Sequence, residues 1–156
     1  MLEAKIVGGT DADRRAVLEK HQEYLDANAR FDWERLRDHI WSAASDTMFF
    51  NLNGHTYRGR DHWVRLWQYY IKQMSTGVWV PFDIGGTISG DLAVVWCHRK
   101  TKLRWVGSDQ RPDDKQHDDK DFISRSTMVF QRESGEWRVL HVHFSEANPG
   151  DRPGGI

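Results

Sequence analysis

Apolar positions recur at helical spacing in three early stretches, then switch to the alternation of strands after Gly77. Thr10-Asp11-Ala12-Asp13 has the spacing of a capping-box helix start. Beyond it Val17, His21 and Tyr24 fall on one face, with Leu18 and Leu25 beside them. A second, short helix is predicted from Asp32 to about Ile40, with Trp33, Leu36 and Ile40 as its buried stripe. Thr47 to Leu52 predicts a strand closed by the turn pair Asn53-Gly54. A third helix follows Gly59, carrying Trp63, Trp67, Tyr70 and Met74 on one face and Val64 and Ile71 on its flanks.

The later half predicts a meander of strands. Val78 to Ile88 contains Pro81 and Gly85-Gly86, which mark an edge strand or a bulge. Ser89-Gly90-Asp91 turns into a long strand, Leu92 to about Val106. Ser108 to Lys120 is almost entirely polar and predicts a mobile hairpin tip. Phe122 to Gln131 and Trp137 to Ser145 are the last two strands, joined by the turn Glu133-Ser134-Gly135-Glu136. Residues Pro149 to Ile156 predict a disordered tail after one domain over residues 1–148. Helices first and an antiparallel sheet afterwards indicate an α+β fold.

Composition narrows the function classes. At 156 residues the chain is one domain with room for a sizeable core. The net charge of −1 favours neither nucleic acid nor an anionic membrane as partner. No run approaches the ~20 apolar residues of a membrane helix, and no signal-peptide core precedes Asp11. Cys97 is alone, so a reducing, cytoplasmic setting is expected. Eight Trp, seven Phe and four Tyr are many for this length; most fill a core, and some can line a pocket.

The last strand and two earlier segments carry a resemblance. Trp137-Arg138-Val139-Leu140-His141-Val142-His143-Phe144-Ser145 resembles the closing strand of the SnoaL-like branch of the nuclear transport factor 2-like superfamily. That resemblance implies a cone-shaped α+β barrel, a curved antiparallel sheet wrapped around the N-terminal helices with one internal pocket. Tyr24-Leu25-Asp26 through Phe31-Asp32 is similar to the first helix of ketosteroid isomerases, which places Tyr24 at a pocket tyrosine. Asn51-Leu52-Asn53-Gly54 stands where those enzymes have D-P-F-G, so Asn51 replaces the proton-shuttling aspartate. Ser124 falls at the oxyanion-hole aspartate, and Phe144-Ser145-Glu146-Ala147-Asn148 resembles their closing W-S-E-V-N. Likeness to the calcium/calmodulin-dependent kinase II association domain places Trp63 at a pocket histidine, and Arg99 and Met128 at two pocket arginines.

These comparisons choose the strand faces. Val95, Cys97, Arg99, Ser124, Ser126, Met128, Leu140, Val142 and Phe144 are expected inward; His98, Arg125, Thr127, His141 and His143 outward. A slip of one residue would reverse them and bring Arg125 inside. An amide at Asn51 cannot take a proton near neutral pH as a carboxylate can, so isomerisation by the usual residues is not expected. A buried Arg99 needs an anionic partner: a ligand, or an internal acid such as Asp46 or Asp83. The candidate catalytic set is Tyr24, Asn51 and Arg99. The candidate substrate-binding set is Trp63, Trp67, Cys97, Ser124, Arg125, Met128 and Phe144. Cys97 has no activating base on its own strand face. His141-Val142-His143 has a spacing some metal sites use, but two imidazoles alone are weak ligands and the outward face suits a dimer contact better.

The resemblance implies a cofactor-independent lyase, dehydratase, isomerase or cyclase acting on a small aromatic or polycyclic, anionic compound, with no metal and no cofactor. The alternative it implies is a non-catalytic binding or oligomerisation module. A water-adding epoxide hydrolase would need an internal Asp–Arg–Asp set, which the sequence does not assemble. A homodimer through the convex face, built on Thr127, Val139, His141 and His143, is expected in either case.

Overall fold

The computed structural model describes residues 4–109 and 121–156. The hairpin tip expected over Ser108 to Lys120 therefore lies, beyond Asp109, outside the described residues. Strand β1 (Lys5–Gly8) precedes helix α1 (Asp11–Ala29). Thr10 caps α1 as its spacing predicts: its hydroxyl accepts from the Asp13 N–H, and the Asp13 carboxylate accepts from the Thr10 N–H. The helix stops at Phe31, whose left-handed backbone (φ 51°) is costly for a bulky residue. Asp32 then caps a short helical turn, α2 (Trp33–Arg35), which continues as one π-helical turn, Leu36–Ile40. Strands β2 (Met48–Phe50) and β3 (Thr56–Arg58) form a hairpin around Asn53-Gly54. Helix α3 (Arg60–Gln73) follows Gly59.

Met74, expected on the last turn of α3, instead begins strand β4 (Met74–Thr76), which pairs with the far end of β6. Strands β5 (Val80–Ser89), β6 (Leu92–Trp105), β7 (Asp121–Glu133) and β8 (Glu136–Glu146) form the antiparallel centre of the sheet. The strand order is β1-β5-β6-β7-β8-β2-β3, with β4 joining β6 off this path. The fold is α+β with a curved sheet against the helices, as expected, but the sheet is mixed and open. β1 runs parallel to β5, and β2 runs parallel to β8. The predicted interruption of β5 is a bulge between Phe82 and Gly85, where Asp83 takes a positive φ.

Face assignments along β6 and β7 follow the alternation. Val95, Cys97, Arg99, Ser124, Ser126 and Met128 are buried, whereas Arg125 and Thr127 are exposed. On β8 the alternation breaks. Val129 pairs with His141 and Phe130 with Val139, so Leu140 is an extra residue in the ladder. Val139 is consequently fully buried and Leu140 half-buried, the reverse of the expectation for both. Val139 is therefore removed from the convex face, while Val142 and Phe144 point inward as expected.

The core is dominated by rings. Trp63 of α3 lies 4.7 Å from Phe49, 4.4 Å from Trp67 and 6.0 Å from Trp41, centroid to centroid. These rings join α3 to β2 and to the end of the π-helical turn, and the pocket opens beside them. Residues 149–156 are exposed, with one 3-10 turn at Pro153–Gly155. Among the described residues no helix is long and apolar enough to cross a membrane.

Candidate functional site

A pocket opens between the helices and the concave sheet face, lined by Asn28, Phe31, Asn51, Asn53, Trp67, Tyr70, Trp79, Arg99 and Phe144 together with Leu52, Met74 and Leu103. It holds about 440 Å3 of empty space, open solvent at its mouth included. Helix α1 supplies Asn28, one turn beyond Tyr24 on the same face. The left-handed residue that ends α1, Phe31, contributes its ring to the wall.

Arg99 is the unusual group. It is 1 % exposed, and its Nε donates to Ser124 Oγ at 3.2 Å. Its guanidinium lies 4.4 Å over the Trp79 ring and 4.2 Å over the Phe144 ring. The two terminal nitrogens, Nη1 and Nη2, are buried and have no hydrogen-bond partner. No carboxylate among the described residues pairs with it. Asp83, one internal candidate, faces His98 at 3.2 Å, and Asp46, the other, is exposed. Burial pulls the Arg99 pKa below its usual value, opposed by Tyr24 and Cys97. Guanidinium is basic enough to stay charged regardless. The result is one fixed positive charge whose buried terminal nitrogens make no hydrogen bond of ordinary geometry, with the Tyr24 hydroxyl close enough to act on it.

Two polar groups stand behind this charge. Tyr24 is completely buried, and burial pushes its hydroxyl well above the ordinary tyrosine value while Arg99 pulls the other way. Its hydroxyl lies 3.5 Å from Asn28 Oδ1, a long contact, and Tyr24 itself does not reach the pocket wall. His21 is 2 % exposed; burial first, then the neighbouring Arg99 charge, lowers its pKa to about 4. Its Nε2 is 3.7 Å from Cys97 Sγ, and that sulfur is 3.3 Å from Ser126 Oγ. A base does therefore adjoin Cys97, supplied by α1 rather than by the strand. Burial nevertheless raises the Cys97 pKa, and the pocket wall excludes it, so this thiol is not a poised nucleophile.

The structure brings together Asn51, Arg99, Trp67 and Phe144 of the residues expected at the site. Ser124 fixes Arg99 from behind. Trp63 is a core residue, and Met128 and Cys97 are buried under the sheet away from the wall. Arg125 faces outward and donates to Ser145 Oγ at 3.1 Å. Asn28, Phe31, Asn53 and Trp79 were not singled out by the sequence. Asn28 carried a usable signal in its helical spacing from Tyr24; Trp79 carried none. Asn51 and Asn53 both donate to the Tyr70 hydroxyl, at 3.2 and 3.0 Å, which ties the β2–β3 turn to α3. No Asp, Glu, His, Cys or Lys lines the pocket among the described residues. The wall can hold and stabilise negative charge; it offers no side chain to remove a proton.

The model of the SnoaL-like domain matches residues 17–149. The chain belongs to the SnoaL-like family. Solved structures of nuclear transport factor 2-like proteins share this SnoaL-like fold at low identity. A dehydratase candidate from Streptomyces avermitilis superposes with a TM-score of 0.72 at 18% identity, covering 89% of this chain and 99% of that one. A superfamily protein from Salmonella enterica serovar Typhimurium gives 0.71 at 17% identity, covering 91% and 96%. The association domain of the C. elegans calcium/calmodulin-dependent kinase II gives 0.60 at 20% identity, covering 86% and 95%. At these identities the likeness is one of fold. No curated protein matches the sequence.

Proposed function

We propose that this SnoaL-like protein captures a small organic anion, with the anionic group on Arg99 and an apolar, ring-bearing body toward the pocket mouth. The observation that carries the reading is the buried, unpaired fork of Arg99 between Trp79 and Phe144. A buried charge without a partner is costly, so the bound state supplies one. Phe31, Trp67 and Tyr70 offer flat surface for the body, in keeping with an aromatic ligand. Ser124 and Tyr24 act as positioning residues behind the charge. The test is titration calorimetry of 3-phenylpropanoate with the wild type and with Arg99→Met. Binding weakened at least tenfold in the variant supports the reading; equal binding by both proteins refutes it.

A second reading, catalysis of the lyase or isomerase type without a cofactor, draws on the same wall. Arg99 and the neighbouring amides would stabilise an enolate oxygen as it develops. With no carboxylate, imidazole or amine on the described wall, water or the Tyr70 hydroxyl would carry the proton. Exchange of the ligand's α-hydrogens in deuterated water, accelerated by the wild type and not by Arg99→Met, favours this reading; no acceleration leaves a binding module. The association-domain likeness suits an oligomer. We place a homodimer contact on the outer sheet face, where Trp96 is 46% exposed and Phe82 stacks on His98 beside Arg125, Thr127, His141 and His143. Light scattering reading one chain mass at micromolar concentration would remove this contact.

A further inference from the structure

Every buried side-chain polar atom left without a partner on the described pocket wall is a donor. They are Nη1 and Nη2 of Arg99, Nε1 of Trp67 and Nε1 of Trp79. A simple anion on the guanidinium answers only the first two. Trp67 has edge-to-face neighbours in Trp41 and Phe31, at 5.6 and 6.1 Å, whose π faces can receive an N–H. Trp79 has no such ring neighbour among the described residues; its ring is covered by the Arg99 guanidinium instead. Its N–H is therefore a buried donor without a partner, on a ring stacked against the Arg99 guanidinium.

Three features of this wall restrict the ligand. One cation and no ionised acid line it, so a single negative charge is balanced, whereas a dianion would bring a surplus charge out of water. The guanidinium offers two parallel donors, which match a carboxylate. The unpaired Trp79 N–H calls for an acceptor beside the carboxylate, which a keto oxygen supplies.

We propose that the pocket takes a monocarboxylate of the 2-oxo acid type, its carboxylate on Arg99 and its keto oxygen on the indole N–H of Trp79. This rests on the anion-binding reading above and adds a second recognition point to it. The subsite sets specificity: it separates an oxo acid from the acid that lacks the keto oxygen, because the latter leaves Trp79 unpaired.

The experiment compares phenylpyruvate with 3-phenylpropanoate, which share a ring and a chain length and differ at the carbon next to the carboxylate. Dissociation constants are measured calorimetrically on the wild type and on Trp79→Phe, which keeps a ring over Arg99 and removes the donor. The wild type is expected to bind the oxo acid about 3- to 10-fold more tightly, the worth of one hydrogen bond. In Trp79→Phe the ratio is expected to fall to about 1, the two acids differing by no more than measurement error. Equal affinity of the wild type for the two acids overturns the subsite while leaving the anion reading intact. A preference that survives in Trp79→Phe overturns the role of Trp79. Binding of neither acid, or binding indifferent to Arg99→Met, overturns the anion reading and the subsite with it. Should Trp79→Phe fail to fold, Trp79→Leu, which also lacks the donor, takes its place in the comparison with the same expected loss of preference.

Discussion

His21 gives the sharpest prediction about stability. It sits 2 % exposed between α1 and the sheet, with the Arg99 charge near it and a thiol 3.7 Å from Nε2. Burial and that charge lower its pKa from 6.5 to about 4. In the unfolded chain the same imidazole returns to its ordinary value. As pH falls below about 6.5 the unfolded state takes up the proton first, and each such proton favours unfolding. Stability from this group is full above pH 6.5 and declines until about pH 4, below which both states are protonated. At ~1.36 kcal/mol for each pH unit of difference, the total is roughly 3 kcal/mol, of which about 2 kcal/mol falls between pH 7.5 and 5.0. The perturbation is His21→Leu, and the assay is urea unfolding of both proteins at the two pH values. The wild type is expected to lose about 2 kcal/mol more than the variant over this interval, a relative midpoint shift of about 1 M urea. The Asp13 carboxylate, held near pKa 2 by its Thr10 and Arg132 hydrogen bonds, titrates below the interval. Parallel pH dependence of the two proteins would show that His21 is hydrated or paired when folded, and the reasoning about this buried layer would fail.

Two further perturbations test the frame around the site. Thr10→Ala removes the α1 cap and is expected to lower stability by about 1 kcal/mol, read as a drop in denaturation midpoint; no drop would mean the cap is already frayed in the wild type. Gly86→Ala places a Cβ 2.5 Å from the Val94 carbonyl oxygen, inside the β5–β6 ladder. About 1–3 kcal/mol of destabilisation is expected in the same assay, and an unchanged midpoint would contradict the close approach of these strands.

Most of the architecture was readable because it is written in local periods. The capping box at Thr10 marks a helix start, the stripe of α3 marks its buried face, and alternation along β6 and β7 separates two faces, of which the family resemblance chose the inner one. Three short strands were not readable. β1, β3 and β4 have three or four residues each, too few for a period; β3 exists by pairing with β2 across the Asn53-Gly54 turn, and β1 and β4 because distant strands offer them an edge. The bulge at Leu140 was invisible for a related reason. It depends on how β8 meets β7, and one extra residue exchanges the faces of Val139 and Leu140 while leaving Phe144 correctly placed.

The site was half readable. Arg99 was expected inward, and its isolation from Asp46 and Asp83 emerged only with the packing. Trp63 and Trp67 lie one turn apart on the same helical face, yet the first is a hub of core rings and the second lines the pocket. Helical spacing gives direction, and depth depends on what the opposing layer supplies. Trp79 follows Gly77 at the mouth of a strand, where nothing local distinguishes a pocket wall from a strand start. Its role arises from the cation that β6 places over its ring.

The decisive measurement is a crystal structure of the wild-type protein soaked with 3-phenylpropanoate. Both carboxylate oxygens are expected about 2.7–2.9 Å from Nη1 and Nη2 of Arg99, with the phenyl ring among Phe31, Trp67 and Tyr70. A guanidinium still unpaired with the acid bound elsewhere, or already bridged by one of the protein's own carboxylates, would contradict anion capture by Arg99.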